Sequence, residues 1–241
     1  MKENREYVRT KKPSSFPFDI RLLKTLDDEF WKSWIFYYLL DFYQNYDSVE
    51  LKMKIERENK QQHPRTEREI AKYIRIKLNA KKEFGCHFKA FGEPTNDENV
   101  EGNLDILIYS TNWENEGFCF ECKNLNKSQD LINKYVYYNT YKKDKNNENI
   151  FDGGVYRYFN GKYAQKSNFG GMIGLVLDGD VLEIKSKILK KLEEKFNTTQ
   201  EGNLVKIVDS SIEQNDFTFD SYHLRFNTEF ILHHILFDFV S

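Results

Sequence analysis

Cysteine is scarce in this chain, with three residues in 241. That number cannot build a disulfide framework, and an odd count leaves one thiol over, so reduced thiols are expected. Long apolar runs are missing as well. No stretch approaches the ~20 uninterrupted apolar residues of a membrane helix, and the opening MKENREYVRTKK has no apolar centre of the kind a secretion signal needs. Both absences point to a cytoplasmic protein that does not engage a membrane. Neither an internal repeat nor a low-complexity segment is present beyond scattered Asn and Lys. A P-loop, a Gly-x-Gly-x-x-Gly fingerprint and a Gly-x-Ser-x-Gly elbow are all absent, which leaves nucleotide-dependent, dinucleotide-dependent and serine-hydrolase chemistry without support.

The chain does contain ample core material. Hydrophobic residues make up 39%, and there are 20 Phe, 15 Tyr and 3 Trp, a composition that excludes disorder. The length fits one large domain or a domain with an appendage, because single cores stop growing near ~250–300 residues. The net charge of −2 hides an uneven distribution. Residues 52–89 carry 12 Lys or Arg against 5 Glu, whereas residues 92–121 carry 8 Asp or Glu and no Lys or Arg. A basic surface attracts a polyanion, and an acidic pocket beside it can hold a cation. The plainer alternative is a solvated helix next to an acidic loop.

Apolar spacing predicts a helix over 26–42, capped by Thr25 and carrying Phe30, Trp31, Trp34, Ile35, Tyr38, Leu39 and Phe42. A second helix is expected over 49–59. Thr66 and Glu69 read as a capping box that opens a third, whose apolar face is Ile70, Ala71, Ile74 and Leu78. Short alternating runs over 86–91, 103–109 and 117–123 predict strands. A helix is expected over 130–141, an exposed loop over 143–149, a buried strand over 171–177, a lysine-rich amphipathic helix over 181–196 and a strand over 205–208. Residues 230–240 are apolar and ambiguous between strand and helix. The order predicts an α/β architecture with a helical N-terminal extension.

The chemistry-bearing stretch is Gly102-Asn103-Leu104-Asp105-Ile106-Leu107-Ile108, followed after a turn by Phe118-Cys119-Phe120-Glu121-Cys122-Lys123. Side chains alternate faces along a strand, so Glu121 and Lys123 share one face and Phe118, Phe120 and Cys122 the other. Asp105 likewise opposes Leu104, Ile106 and Ile108. Two carboxylates and a lysine on neighbouring strands are costly to place in a sheet unless a cation or an anionic substrate compensates them.

This pattern resembles the PD-(D/E)xK nuclease superfamily, in which an acidic helix residue is followed by an Asp entering one strand and (Asp/Glu)-x-Lys on the next. The matching residues are Thr66-Glu67-Arg68-Glu69, Asp105 and Glu121-Cys122-Lys123, across roughly residues 66–140; no Pro precedes Asp105. The resemblance implies a restriction-endonuclease-like mixed central sheet flanked by helices over 63–241, with 1–62 as a helical N-terminal extension. It implies a metal-dependent nuclease whose partner is nucleic acid, DNA in preference to RNA, with bacterial defence or a mobile element as the setting. Asp105 and Glu121, with the Cys122 backbone carbonyl, would bind Mg2+ or Mn2+. Lys123 would position the attacking water and stabilise developing negative charge. Glu67 would be the helix carboxylate, since it precedes Ile70, Ala71 and Ile74 by three, four and seven residues and so points toward the sheet; Glu69 is the alternative. A different class of function remains open, a non-catalytic module that keeps this fold and binds nucleic acid or a partner protein.

Further basic residues are candidates for holding the polyanion. Arg157 and Lys162 lie in the aromatic and basic run 155–163, which suits stacking on bases and contacting phosphates, although an aromatic turn packed on its own sheet has the same composition. His223 and Arg225, two apart on a strand, share a face that can meet phosphate, against the alternative of core-edge residues. His233 and His234 read as structural. Cys119-x-x-Cys122 does not suit zinc, because a strand puts residues three apart on opposite faces. The aromatic helix of 26–42 offers a docking face for a second copy or a partner protein.

Overall fold

The computed structural model describes residues 12–17, 19–92, 95–96, 99–114, 117–137, 139–143, 145–197, 201–212 and 215–240. The opening segment read for a secretion signal lies, through residue 11, outside them. Among the described residues no helix is long and apolar enough to cross a membrane. The chain divides into two compact units, Met1–Pro94 with Leu104–Cys119 and Thr95–Asn103 with Phe120–Ser241. The domain boundary expected near residue 62 falls inside the first.

The first unit begins with α1 (Ile20–Leu23), α2 (Asp28–Asn45), α3 (Ser48–Asn59), α4 (Thr66–Ala80) and α5 (Lys82–His87). The cap of α2 is Asp27, whose carboxylate accepts from the Phe30 N–H at 2.9 Å. Thr25 instead donates to the Leu22 carbonyl; a carboxylate nearer the first turn takes the capping role. Ten of the eighteen residues of α2 are buried, so it is the centre of this unit's core rather than an amphipathic surface helix. Trp31, Trp34, Tyr38 and Phe42 are each at most 2% exposed. Trp31 stacks on Trp113 at 6.2 Å and meets Phe88 edge-on, while the Trp113 indole N–H donates to Asp28. The aromatic residues offered by the sequence to a partner are thus consumed by the unit's own core.

The start of α4 also differs from the sequence reading. Its N-cap is Arg65, with no side-chain cap. Glu58 at the end of α3 accepts from the Arg65 N–H at 2.8 Å, and the Thr66 hydroxyl donates to Asn59 at 2.7 Å. Partners from α3 replace the capping box. Ile70, Ala71, Tyr73, Ile74 and Leu78 form the buried face of α4 as the spacing requires. Near its end, the Asn79 amide exchanges two hydrogen bonds with the backbone of Ala90, which docks β1 (Lys89–Phe91) on the helix. The first half of the strand expected over 86–91 is therefore helical, held by Phe84 and Phe88 against Tyr38.

A short antiparallel pair, β2 (Thr95–Asn96) and β3 (Asn99–Asn103), belongs to the second unit. The chain then returns to the first for β4 (Ile106–Tyr109), antiparallel to β1 with Ala90 opposite Ile108. Ile106 and Ile108 are fully buried, whereas Leu107 and Tyr109 are half-buried, in keeping with a period of two. Strand β5 (Gly117–Leu125) crosses from one unit's residues to the other's.

The second unit continues through α6 (Gln129–Val136), the hairpin β6 (Asn139–Lys143) and β7 (Asn149–Ile150), a 3-10 turn at Val155–Tyr158, β8 (Phe169–Val176), α7 (Val181–Phe196), β9 (Asn203–Val208), β10 (Thr218–Arg225) and β11 (Thr228–Asp238). The helix expected over 130–141 ends at Val136, and the exposed loop is the tip of the β6–β7 hairpin. Strand β8 runs parallel to both β5 and β11, and β11, β10 and β9 are antiparallel neighbours. All eight residues of β8 are buried. Asp180 caps α7 through the Glu183 N–H, and Val181, Ile184, Ile188, Leu192 and Phe196 are its buried face. The ambiguous run 230–240 is strand β11, paired on both edges and covered on both faces, which removes the alternation that would have announced it. By hydrogen-bonded neighbours the seven main strands follow the order β1–β4–β5–β8–β11–β10–β9. The protein is α/β, with a mixed sheet and accompanying helices.

Candidate active site

Glu121 and Lys123 occupy consecutive same-face positions of β5, as the alternation requires, opposite Met172 and Gly174 of β8. Both are buried, and so are Phe120 and Cys122 on the other face. The carboxylate is ringed by cations. Glu121 Oε1 accepts from Lys123 Nζ and, at 2.5 Å, from Arg157 Nη1. Lys123 Nζ also donates to the Cys122 carbonyl at 2.8 Å. Arg157 Nε donates to Asp152 at 3.0 Å, its Nη1 to the Tyr163 hydroxyl at 3.0 Å, and Lys162 Nζ reaches the same Asp152 oxygen at 3.1 Å. The second oxygen of Glu121, Oε2, is buried without a hydrogen-bond partner.

Asp152 and Arg157 reach β5 because the chain between them can lie against it. A Cβ on Gly153 would meet the Tyr137 backbone at 2.4 Å, and one on Gly154 would meet the Met172 methyl at 2.6 Å, the Tyr135 carbonyl at 2.8 Å and Lys123 Cγ at 3.3 Å. Two consecutive glycines are therefore required where the 3-10 turn begins. Electrostatics follows from this packing. Burial opposes the charge of Arg157, but Glu121, Tyr163 and Asp152 outweigh it and hold the guanidinium above its ordinary pKa. Burial likewise opposes ionisation of Asp152, and Arg157 with Lys162 outweighs it, leaving the carboxyl below its ordinary value. Tyr163 is pushed well up, by burial first and then by Glu121, and remains a neutral hydroxyl. Three cations and two carboxylates give the cluster a formal charge of +1.

The remaining candidates fall elsewhere. Asp105 belongs to the first unit, immediately before β4 and half-buried, and its backbone carbonyl accepts from the Arg75 guanidinium of α4. Gly92 lies flat on that guanidinium, at a point where a Cβ would collide with it. Gly92→Ala is expected to push Arg75 off the Asp105 carbonyl and to cost about 1–2 kcal/mol, the same loss as Arg75→Gln; urea denaturation of the two variants and the double variant measures it, and additive losses would contradict a shared contact. Glu67 and Glu69 are both half-buried in the first turn of α4.

His223 is fully buried, its pKa lowered to about 4 by desolvation. Its Nδ1 meets the Gly202 carbonyl at 2.6 Å and its Nε2 the Ser221 hydroxyl at 2.8 Å. That hydroxyl also meets His234 Nε2 at 2.8 Å, and His234 Nδ1 meets the Tyr135 hydroxyl at 2.9 Å. His233 pairs with Asp220 at 2.8 Å. Arg225 is 8% exposed, lies over the Phe230 ring, and donates to the carbonyls of Ala164 and Ser167. Arg157 and Lys162, expected on the path of the polyanion, are in the Glu121 cluster. Sequence reasoning missed Asp152, Tyr163 and Arg75; the Asp-Gly-Gly signal at 152–154 marks a tight turn but not what it approaches. Among the described residues, no three His, Cys, Asp or Glu side chains are grouped to hold a metal ion. Compared with protein-family models, curated proteins and solved structures, the chain matches none.

Proposed function

We propose that the protein is a divalent-metal-dependent nuclease of restriction-endonuclease-like fold that hydrolyses phosphodiester bonds, in DNA by preference. The observation that carries this reading is the pair Glu121 and Lys123, side by side and buried on β5, with one carboxylate oxygen left without a partner. Support comes also from chain order: an acidic first turn in α4, Asp105 at the entrance to β4, and Glu-x-Lys within β5, the next strand of the chain. A buried oxygen in need of a partner suits a hard cation, and Glu121 Oε2 fits that requirement. Asp105 enters the reading from the sequence pattern, as does the Cys122 carbonyl, whose second lone pair remains after Lys123 has donated to it.

A bound Mg2+ or Mn2+ would lower the pKa of a water and neutralise phosphate charge. The chain's own groups do the rest. Arg157 holds the Glu121 carboxylate in one orientation through Nη1 and is itself fixed by Asp152 through Nε, which makes it a positioning residue. Lys123, steadied by Glu121 and the Cys122 carbonyl, would orient the attacking water and offset charge as it develops on the phosphate.

A specific observation favours the second reading, a non-catalytic binding module, because Glu121 already carries two cations in the manner of a structural ion-pair network. Incubation of the protein with single- and double-stranded DNA and RNA separates the two. Cleavage with Mg2+ or Mn2+ that is lost in EDTA, and lowered about 100-fold or more in Asp105→Asn with thermal unfolding unchanged, is expected. Cleavage undiminished by EDTA would sink the metal mechanism, and the absence of cleavage on every substrate would leave the binding module.

A further inference from the structure

The first unit has a cleft of about 360 Å3 along α4, lined by Arg65, Arg68, Lys72 and Arg75 together with Glu58 and Glu69. The four cations are spaced three, four and three residues apart, so they form one stripe on the face opposite Ile70, Ala71 and Ile74. Arg65, Arg68 and Lys72 are exposed. Both carboxylates have local duties: Glu58 receives the Arg65 N–H, and Glu69 lies 3.9 Å from Lys72. At one end, Arg75 is fixed by Gly92 and by the carbonyl of Asp105.

We propose that this cleft binds successive backbone phosphates of a polynucleotide strand and leads them to Asp105. The inference rests on the nuclease reading for the identity of the polyanion. A site for one small anion would bring its donors together around a point. Here the donors are strung along ten residues of helix, a rise of ~15 Å, which matches several nucleotides at ~3.4 Å each along a strand. Positive charge in a row, on a rigid helix and in a groove, suits contacts that hold a backbone without reading its bases.

The test is binding of a labelled oligonucleotide by fluorescence anisotropy in EDTA, across a range of salt. The double variant Arg65→Gln/Lys72→Gln leaves Arg75 and its contact with Asp105 in place. It is expected to bind at least about tenfold more weakly at low salt, with a log–log salt slope shallower by about 1.5–2, since each phosphate contact contributes ~0.7–0.9. The control Lys82→Gln/Lys190→Gln, with the same change in net charge, should match the wild type. Equal affinity and slope in the cleft variant would overturn the proposal, as would a wild type that binds no oligonucleotide. Competition by inorganic phosphate or a mononucleotide at the same phosphate concentration as the oligonucleotide would replace it with a small-anion site. Cleft-dependent binding without cleavage in Mg2+ or Mn2+ would uphold the cleft and reject the nuclease reading; cleavage unaffected by the cleft variant would do the reverse.

Discussion

Truncating Glu121 to alanine is expected to cost about 3–5 kcal/mol of folding stability, the usual result of removing one partner from a buried ion pair. The sequence suggests the opposite, because it groups Glu121 with another carboxylate, and relief of like-charge repulsion would make the change harmless. In the folded chain the neighbours are cations: Lys123, 4% exposed at its side chain, and Arg157, 20% exposed. Without Glu121 both would be desolvated with no counterion on that side. Glu121→Gln keeps acceptor oxygen but not charge and should fall between wild type and alanine. Since whole domains are stable by only ~5–15 kcal/mol, the alanine variant should be near its unfolding threshold at 37 °C. Urea denaturation measures the loss, and Glu121→Leu/Arg157→Met should recover part of it, as a volume-filling apolar pair removes both charges together. A Glu121→Ala protein as stable as wild type to within ~0.5 kcal/mol would mean that solvent reaches the cluster.

Stability should also fall steeply on mild acidification, between about pH 6.5 and 4. The Gly202 carbonyl can only accept, so His223 Nδ1 carries a proton; its Nε2 then accepts from Ser221, whose oxygen accepts from His234 Nε2, and His234 Nδ1 accepts from Tyr135. Both imidazoles are neutral in this arrangement. Burial lowers His223 to about 4, and His234, with His223 beside it, well below its ordinary value. A depressed pKa means that the unfolded chain binds the proton first. The stabilisation is therefore full above the unfolded value of ~6.5 and is lost as pH falls toward the folded one, by about 3 kcal/mol for His223 alone. Asp152 and Asp220, whose pKa values are lowered, lose their contributions only below the ordinary carboxylate range. Thermal unfolding from pH 7.5 to 4.5 should show this slope, and His223→Asn should be less stable at pH 7 but flatter with pH. A wild-type profile that is level through this window would show that the histidines are hydrated.

Local pattern and distant packing divide what could be read beforehand. Helix α7 was visible to the residue, since Asp180 caps it and its apolar residues recur every three or four positions. The shared face of Glu121 and Lys123 followed from strand geometry alone. What was not visible depends on groups far along the chain. Thr66 lost its capping role to Glu58 and Asn59 of the preceding helix. Strand β11 had no period because β8 and β10 cover both its edges and neither face meets water. Arg157 had the composition of a surface cation until Gly153 and Gly154 brought it 36 residues back to Glu121.

The histidine chain has a fixed polarity, and this decides what it can be. A proton wire must be able to reverse, with each member passing on one hydrogen and receiving another. Here the last member is a peptide carbonyl, which has no proton to return and no second group behind it. Tyr135, His234, Ser221 and His223 therefore act as a lock that ties α6 to β11, β10 and the turn before β9, and each link can be opened only by turning the ones above it. Its signature is a single imidazole tautomer at each site, with the His223 Nδ1 proton and the His234 Nε2 proton both slow to exchange at neutral pH.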